Sequence, residues 1–215
     1  AALRLPALLF VAGAIALQLL TILSGAVSGA PMNKVFYLQA STTSIRGASD
    51  AMPSPAARWT YFALCGMENG HNADCGGVKP AIPFDPVRNF GTERGVPDAL
   101  VGTSKFFYLS RVAWAFALIA LLVAGGALVM GAVAACVRLG AGLAAGLAGV
   151  ALVCQGLAAA LMTAWTIQGR NAFRKDGTEA KIGVWAYGFV WGAVGCLLLA
   201  TVLFVVGKGK KGGKK

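Results

Sequence analysis

Charged side chains are scarce in this chain. Asp, Glu, Lys and Arg make up 13% of its 215 residues, about half the share of an ordinary soluble domain. Histidine occurs once and acids eight times, and four stretches (Leu5–Asn33, Val112–Val137, Leu139–Gly169 and Ile182–Gly207) carry no charged residue at all. That poverty argues against a soluble enzyme. No Walker motif, nucleophile elbow, Cys-x-x-Cys pair or histidine cluster appears, and no isolated carboxylate pair stands at a useful spacing. A single histidine supports no triad, so the chain is read as a non-enzyme with no catalytic residue and no cofactor. Disorder is excluded too, because it needs low hydrophobicity and 57% of these residues are apolar. The 29 glycines follow no triplet period, which excludes collagen. Strand-like alternation is missing from the apolar stretches, which excludes a transmembrane barrel.

What is present is an integral membrane pattern. Each of the four charge-free stretches exceeds the roughly 20 residues that a spanning helix needs. Lipid cannot satisfy exposed backbone groups, so each is expected to be helical. The expected organisation is a first transmembrane segment over 1–26, an extracellular loop subdomain over 27–107, and a second span over 108–134. A third span over 140–166, a short loop over 167–183, a fourth span over 184–206 and a basic tail over 207–215 follow. The first segment has a rival reading as a signal peptide, given Arg4 and the small residues Gly25–Ala30. Its apolar run is longer than the usual 7–15 residues of such a peptide, which favours a retained span.

Basic residues outnumber acidic ones by 19 to 8. They gather at the edges of the apolar blocks and in the tail, which fits membrane topology rather than nucleic-acid binding. Arg4, Arg138 and five tail lysines oppose Arg170, Arg174, Lys175 and Lys181 of the short loop, which favours both termini in the cytosol.

The long loop holds six of the eight acids and seven of the eight prolines. It is too long for a connector and reads as a folded subdomain. Lys34–Gln39 and Arg58–Cys65 have the aromatic and β-branched content of strands. Gly66–Gly77 reads as a turn, and Pro80–Pro86 as neither regular strand nor helix, since its prolines remove donors. A few antiparallel strands are expected.

Five cysteines divide by place. Cys136, Cys154 and Cys196 fall in or at the ends of spans, where a lone thiol behaves as a small apolar residue. Cys65 and Cys75 share the loop, and a disulfide is the natural reading for an oxidising compartment. A metal site with Glu68, His71 and Asp74 competes, although Cys-x5-His-x3-Cys matches no strong zinc spacing. His71 itself reads as a solvated turn residue.

The span interiors contain Gln18 and Gln155 but nothing ionisable, and intramembrane ionisable groups are what a pump or proton-coupled carrier usually needs. Arg111, just inside the second span, is expected to snorkel to the interface or to pair with a loop acid, tying loop to bundle. Gly142 and Gly146, and Gly188 and Gly192, form small-xxx-small patterns that let helices approach closely, either within one bundle or between protomers. Gly125, Gly126 and Gly131 act similarly on the second span.

Four spans, a long first loop, Trp59 and the pair Cys65 and Cys75 resemble the claudin-like tetraspan proteins, and Arg111 resembles the arginine those proteins place at the second span. Five residues separate Trp59 from Cys65, against two in the claudin signature. The stretch Trp59–Cys65, the Pro80–Pro86 segment and Asn89-Phe90 are more similar to the fungal Sur/PalI family of eisosome-associated tetraspan proteins. The resemblance implies a structural role in furrow-like plasma-membrane domains, with effects on membrane organisation, cell-wall integrity and sphingolipid-linked behaviour.

The expectation is therefore an all-α four-helix transmembrane bundle with a small, disulfide-stapled, partly β extracellular subdomain. Its expected work is to organise a plasma-membrane domain by lateral self-association, as a homo-oligomer or lattice, and by contact with lipids, including sphingolipid or sterol. A sensor or accessory subunit of a signalling complex, similar to PalI-like pH sensing, is the alternative, and a channel is a weaker third. Lys208, Lys210, Lys211, Lys214 and Lys215 in the tail are expected to attract anionic inner-leaflet lipids, by about 1 kcal/mol for each lysine near the surface. The same lysines also suit a plain positive-inside signal.

Overall fold

A computed structural model describes residues 3–27, 29–46, 54–133 and 140–212. Cys136, Arg138, Lys214 and Lys215 lie outside the described residues, as do the expected end of the second span at Ala134 and the side chains of Lys208, Lys210 and Lys211.

Four helices are long and apolar enough to cross a membrane. They are α1 (Arg4–Ile22), α3 (Lys105–Val133), α4 (Gly140–Lys175) and α5 (Val184–Gly212). A fifth, short helix, α2 (Pro86–Phe90), lies in the long loop. Two helices outrun the expected boundaries, because charge ends a membrane segment but not a helix. α4 continues nine residues past Thr166 to Lys175, so much of the segment expected as a loop is helical. It stops in a Schellman motif: Gly177 takes φ +76°, its N–H reaches the Arg174 carbonyl, and the Thr178 N–H reaches that of Phe173. α5 runs on through the segment expected as a separate basic tail, as far as Gly212.

The chain forms two compact units. The first comprises Ala1–Leu19, Phe116–Ala159 and Phe189–Lys215. Its core is a seam of small residues: Ala7, Val11 and Ala14 on α1, Ala124 and Ala127 on α3, Ala144, Ala148 and Ala151 on α4, and Ala193, Leu197 and Ala200 on α5. The spacing alternates three and four, which keeps one stripe of each helix facing its neighbours. Small side chains there bring backbones close, the main source of helix association where lipid removes the hydrophobic drive. The tightest approach is at Gly131, where an added Cβ would meet Leu8 at 2.7 Å and Phe204 at 3.2 Å.

The second unit comprises Leu20–Ala115 and Ala160–Gly188. It holds a five-stranded sheet ordered β4-β3-β2-β1-β5, antiparallel throughout. The strands are β1 (Leu38–Ser41), β2 (Ala56–Trp59), β3 (Leu64–Glu68), β4 (His71–Ala73) and β5 (Ala180–Ile182). Several expectations need correction. Arg58–Cys65 is not one strand but the end of β2, a turn and the start of β3, in which Thr60 and Ala63 exchange hydrogen bonds. Lys34–Gln39 is strand only from Leu38. Gly66–Gly77, expected as a turn, contains most of the hairpin β3–β4. Its two-residue turn Asn69-Gly70 has φ of +50° and +79°, the mirror-image conformation that matches strand twist. β5 comes from the second loop and was not anticipated. Three residues bounded by glycine and charge give too short a pattern to read.

Candidate functional site

The sheet has two chemically distinct faces, set by register. Leu38, Trp59, Leu64 and Ile182 share one face through the pairs Leu38↔Trp59, Trp59↔Leu64 and Leu38↔Ile182. Trp59 is 1% exposed. Its ring meets Phe84 at 5.1 Å, Phe90 at 5.9 Å and Phe173 at 6.1 Å. Phe84 stacks in turn on Trp165 at 5.0 Å and packs edge-on to Phe106. Residues from the long loop and from α3 and α4 thus converge on one aromatic cluster. Asn89 completes it by accepting the Trp59 indole N–H at 2.8 Å. Asn89 is placed by α2, which Asp85 caps by accepting the Arg88 N–H and which Gly91 ends at φ +68°. Pro86 at the first helical position loses no bond there.

The opposite face is polar. Arg58 pairs with Cys65 and Gln39 in the ladder and is 2% exposed. Its Nε donates to Gln39 Oε1 at 2.8 Å, and one terminal nitrogen donates to the Gly70 carbonyl at 3.1 Å and Asn72 Oδ1 at 3.2 Å. The guanidinium also lies 4.3 Å from the Phe36 ring centroid. Arg88 has Asp85 as an ion-pair partner, whereas Arg58 meets neutral oxygens and a ring. Desolvation accordingly lowers its pKa. The sequence reading gave Arg58 no role. A cation beside Trp59 in an apolar strand was the available signal. Beyond it a cleft of 610 Å³ opens between β1 and the turn into β5, with Gln39, Ser41, Arg174, Thr178, Glu179 and Lys181 on its walls. Arg174 Nε donates to the Ala180 carbonyl at 2.9 Å, bracing that turn.

Cys65 and Cys75 form a disulfide, which takes both thiols away from the competing metal reading. His71 stands in β4 and is half-buried, not a solvated turn residue. The Trp59 ring does not pack on the bridge. Cys65 faces Arg58 across the ladder, and side chains alternate along a strand, so bridge and indole lie on opposite faces.

Among the described residues Arg111 pairs with no loop acid. Its Nε donates to the Ala81 carbonyl at 3.4 Å, and its guanidinium lies 4.8 Å from the Phe107 centroid. Of the four glycines singled out, Gly192 faces a neighbour, with Leu17 3.2 Å from an added Cβ, whereas Gly146 and Gly188 face open space. Gly142 is half-buried.

Residues 3–203 match the model of the SUR7/PalI family. The chain belongs to that family. It is 34% identical over 201 residues to Protein SUR7 of Candida albicans, covering 93% of this chain and 72% of that protein. It is 31% identical over 205 residues to Protein SUR7 of Saccharomyces cerevisiae, covering 94% and 66% respectively. An uncharacterized plasma membrane protein of the same yeast, YNL194C, is 30% identical over 200 residues, 91% of this chain and 64% of that protein. The chain thus spans about two thirds of the length of these relatives. With four membrane-length helices, an antiparallel sheet and one disulfide, it is a membrane protein of the SUR7 family.

Proposed function

We propose that the chain is a structural plasma-membrane protein that organises a furrow-like membrane domain by lateral self-association and lipid contact. The observation that carries this reading is the division of labour among small residues. Alanines seal the helix core of the first unit, while Gly146 on α4 and Gly188 on α5 open outward with nothing within 4 Å of an added Cβ. Outward glycines leave flat places where the helix of another protomer can approach closely. Among the described residues the buried polar side chains of that unit are the amides of Gln18 and Gln155 and not ionisable groups, which disfavours ion translocation. The plasma membrane is the compartment in the name of the similar yeast protein.

Projection images of native membranes are the test. A regular array, lost when Gly146 and Gly188 are replaced by leucine, is the expected result. Isolated protomers in the native membrane overturn the reading. The cleft walled by Gln39, Arg174 and Glu179 favours a second reading, an accessory subunit of a signalling complex. Under that reading the chain purifies in fixed stoichiometry with a partner and forms no array.

A further inference from the structure

The start of α3 carries an arrangement of cations around one ring. Arg111 is followed by the charge-free run from Val112, so it marks the edge of the hydrocarbon layer. It is exposed, and so are its helix neighbours Tyr108, at 61%, and Val112, at 42%. Apolar side chains flanking it in the open identify this face as one that meets lipid. Arg88 reaches the same place from α2. Its guanidinium lies 4.6 Å from the Phe107 centroid and that of Arg111 lies 4.8 Å from it. Both guanidiniums thus face one ring, whose negative π-face stabilises each. Lys105 adds a third cation in the first turn of α3, where its Nζ donates to Gln168 at 2.7 Å. Asp85 pairs with Arg88 Nε at 3.1 Å, and Glu93 lines the recess next to both. Arg111 has a carbonyl partner and a ring, and among the described residues no carboxylate pairs with it.

We propose that Arg88 and Arg111, gathered around Phe107, form a binding site for the phosphate of an anionic phospholipid headgroup in the leaflet on the loop side of the membrane. A guanidinium is a planar fork of five donors that matches phosphate oxygens two at a time. At the depth where the apolar run begins, lipid phosphate is the abundant anion, and an unpaired cation there is costly. A phosphate between the two arginines supplies the counter-charge that Arg111 lacks. The site requires membrane insertion and is independent of lateral assembly, so an absent lattice leaves it standing.

The test uses the full chain in phosphatidylcholine nanodiscs containing spin-labelled phosphatidylglycerol. The five tail lysines are changed to glutamine to remove the other cationic cluster. The selectivity for phosphatidylglycerol over labelled phosphatidylcholine should fall by about ten-fold in R88Q/R111Q. R111K, which keeps the charge and loses the fork, should fall by less. Unchanged selectivity in R88Q/R111Q, with the Cys65–Cys75 disulfide formed, overturns the proposal. Should that variant not fold, R111Q and F107L read the same quantity one group at a time, and unchanged selectivity in both overturns it equally. Inorganic phosphate added to the nanodiscs separates the sources of the anion. Retained lipid selectivity supports the headgroup, and full displacement by free phosphate overturns the lipid assignment.

Discussion

The indole N–H of Trp59 and the side-chain oxygen of Asn89 meet at 2.8 Å, joining β2 to α2 across thirty residues of chain. The ring is 1% exposed, so this bond has no water to replace it. Asn89→Leu removes the acceptor and leaves a buried donor unpaired, at a cost of about 1–3 kcal/mol. Thermal unfolding followed by tryptophan fluorescence should show a lower midpoint. Trp59→Phe in the Asn89→Leu background should then lose less than Trp59→Phe alone, because the orphaned donor is gone. Additive losses would show that the bond contributes nothing.

The disulfide and the aromatic cluster occupy opposite faces of the sheet, which separates their effects. Removing the bridge with Cys65→Ser and Cys75→Ser frees a short loop, at about 3 kcal/mol in the chain-entropy account. Hydrogen exchange should speed up in β4, an edge strand whose one ladder neighbour is β3. The Trp59 signal should stay as in the native chain. If Trp59 becomes mobile together with β4, the two faces unfold as one unit and this separation is wrong.

Much of the fold was legible because membranes impose coarse rules. A charge-free run longer than a bilayer is thick has to be a helix, and Trp59, Cys65 and Cys75 in one loop carried the family resemblance. Register was not legible. Thr60–Ala63 has the aromatic content of a strand, yet it turns, because Thr60 and Ala63 satisfy each other's backbone. The outward placement of Gly146 was hidden for a different reason. When every face of a helix is apolar, polarity cannot say which face is inside. The alternating three-and-four spacing of alanines at 144, 148 and 151 was the usable signal, since size rather than polarity sorts residues in such a bundle. Arg58 and Phe84 were invisible as partners because their contacts join distant segments.

Alkaline pH probes the buried tyrosines of the loop unit. Tyr37 and Tyr61 pack at 4.4 Å between ring centroids, and Tyr37 donates to the Thr21 carbonyl at 3.4 Å. Burial raises the pKa of both phenols above the ordinary value of 10.0. The folded state therefore keeps protons that the unfolded chain gives up. That contribution is full below about pH 10 and is lost as pH rises from there towards the folded values. The loop unit should unfold on the alkaline side, and Tyr61→Phe should move the transition to higher pH by removing one linked proton. An unmoved transition in that variant would assign alkaline unfolding to other groups.

Inside the helical unit, Gln18 on α1 donates from Nε2 to Gln155 Oε1 at 2.9 Å, and Gln155 donates onward to the Val190 carbonyl at 3.4 Å. Three helices are joined by two amides in a seam made mostly of alanine. Gln18 and Gln155 are each 1% exposed, so a broken bond leaves polar atoms with no solvent. Such bonds contribute modestly in membranes, about 0.6 kcal/mol on average and up to about 1.7. Gln155→Leu should therefore destabilise the bundle by about 1 kcal/mol, read from unfolding in mixed detergent micelles. The informative measurement is the cycle with Gln18→Leu. Once Gln155 is leucine, the Gln18–Gln155 bond is gone, and replacing Gln18 should cost less than in the native chain, with a coupling of about 0.5 kcal/mol or more. Helices packed by alanine alone can also slide by one turn, and a directional bond at one level opposes that. Cysteine pairs placed one turn apart on α1 and α4 should crosslink in a single register in the native chain and in two in the double leucine variant. Additive energies together with a single register would show that the alanine seam alone fixes the bundle.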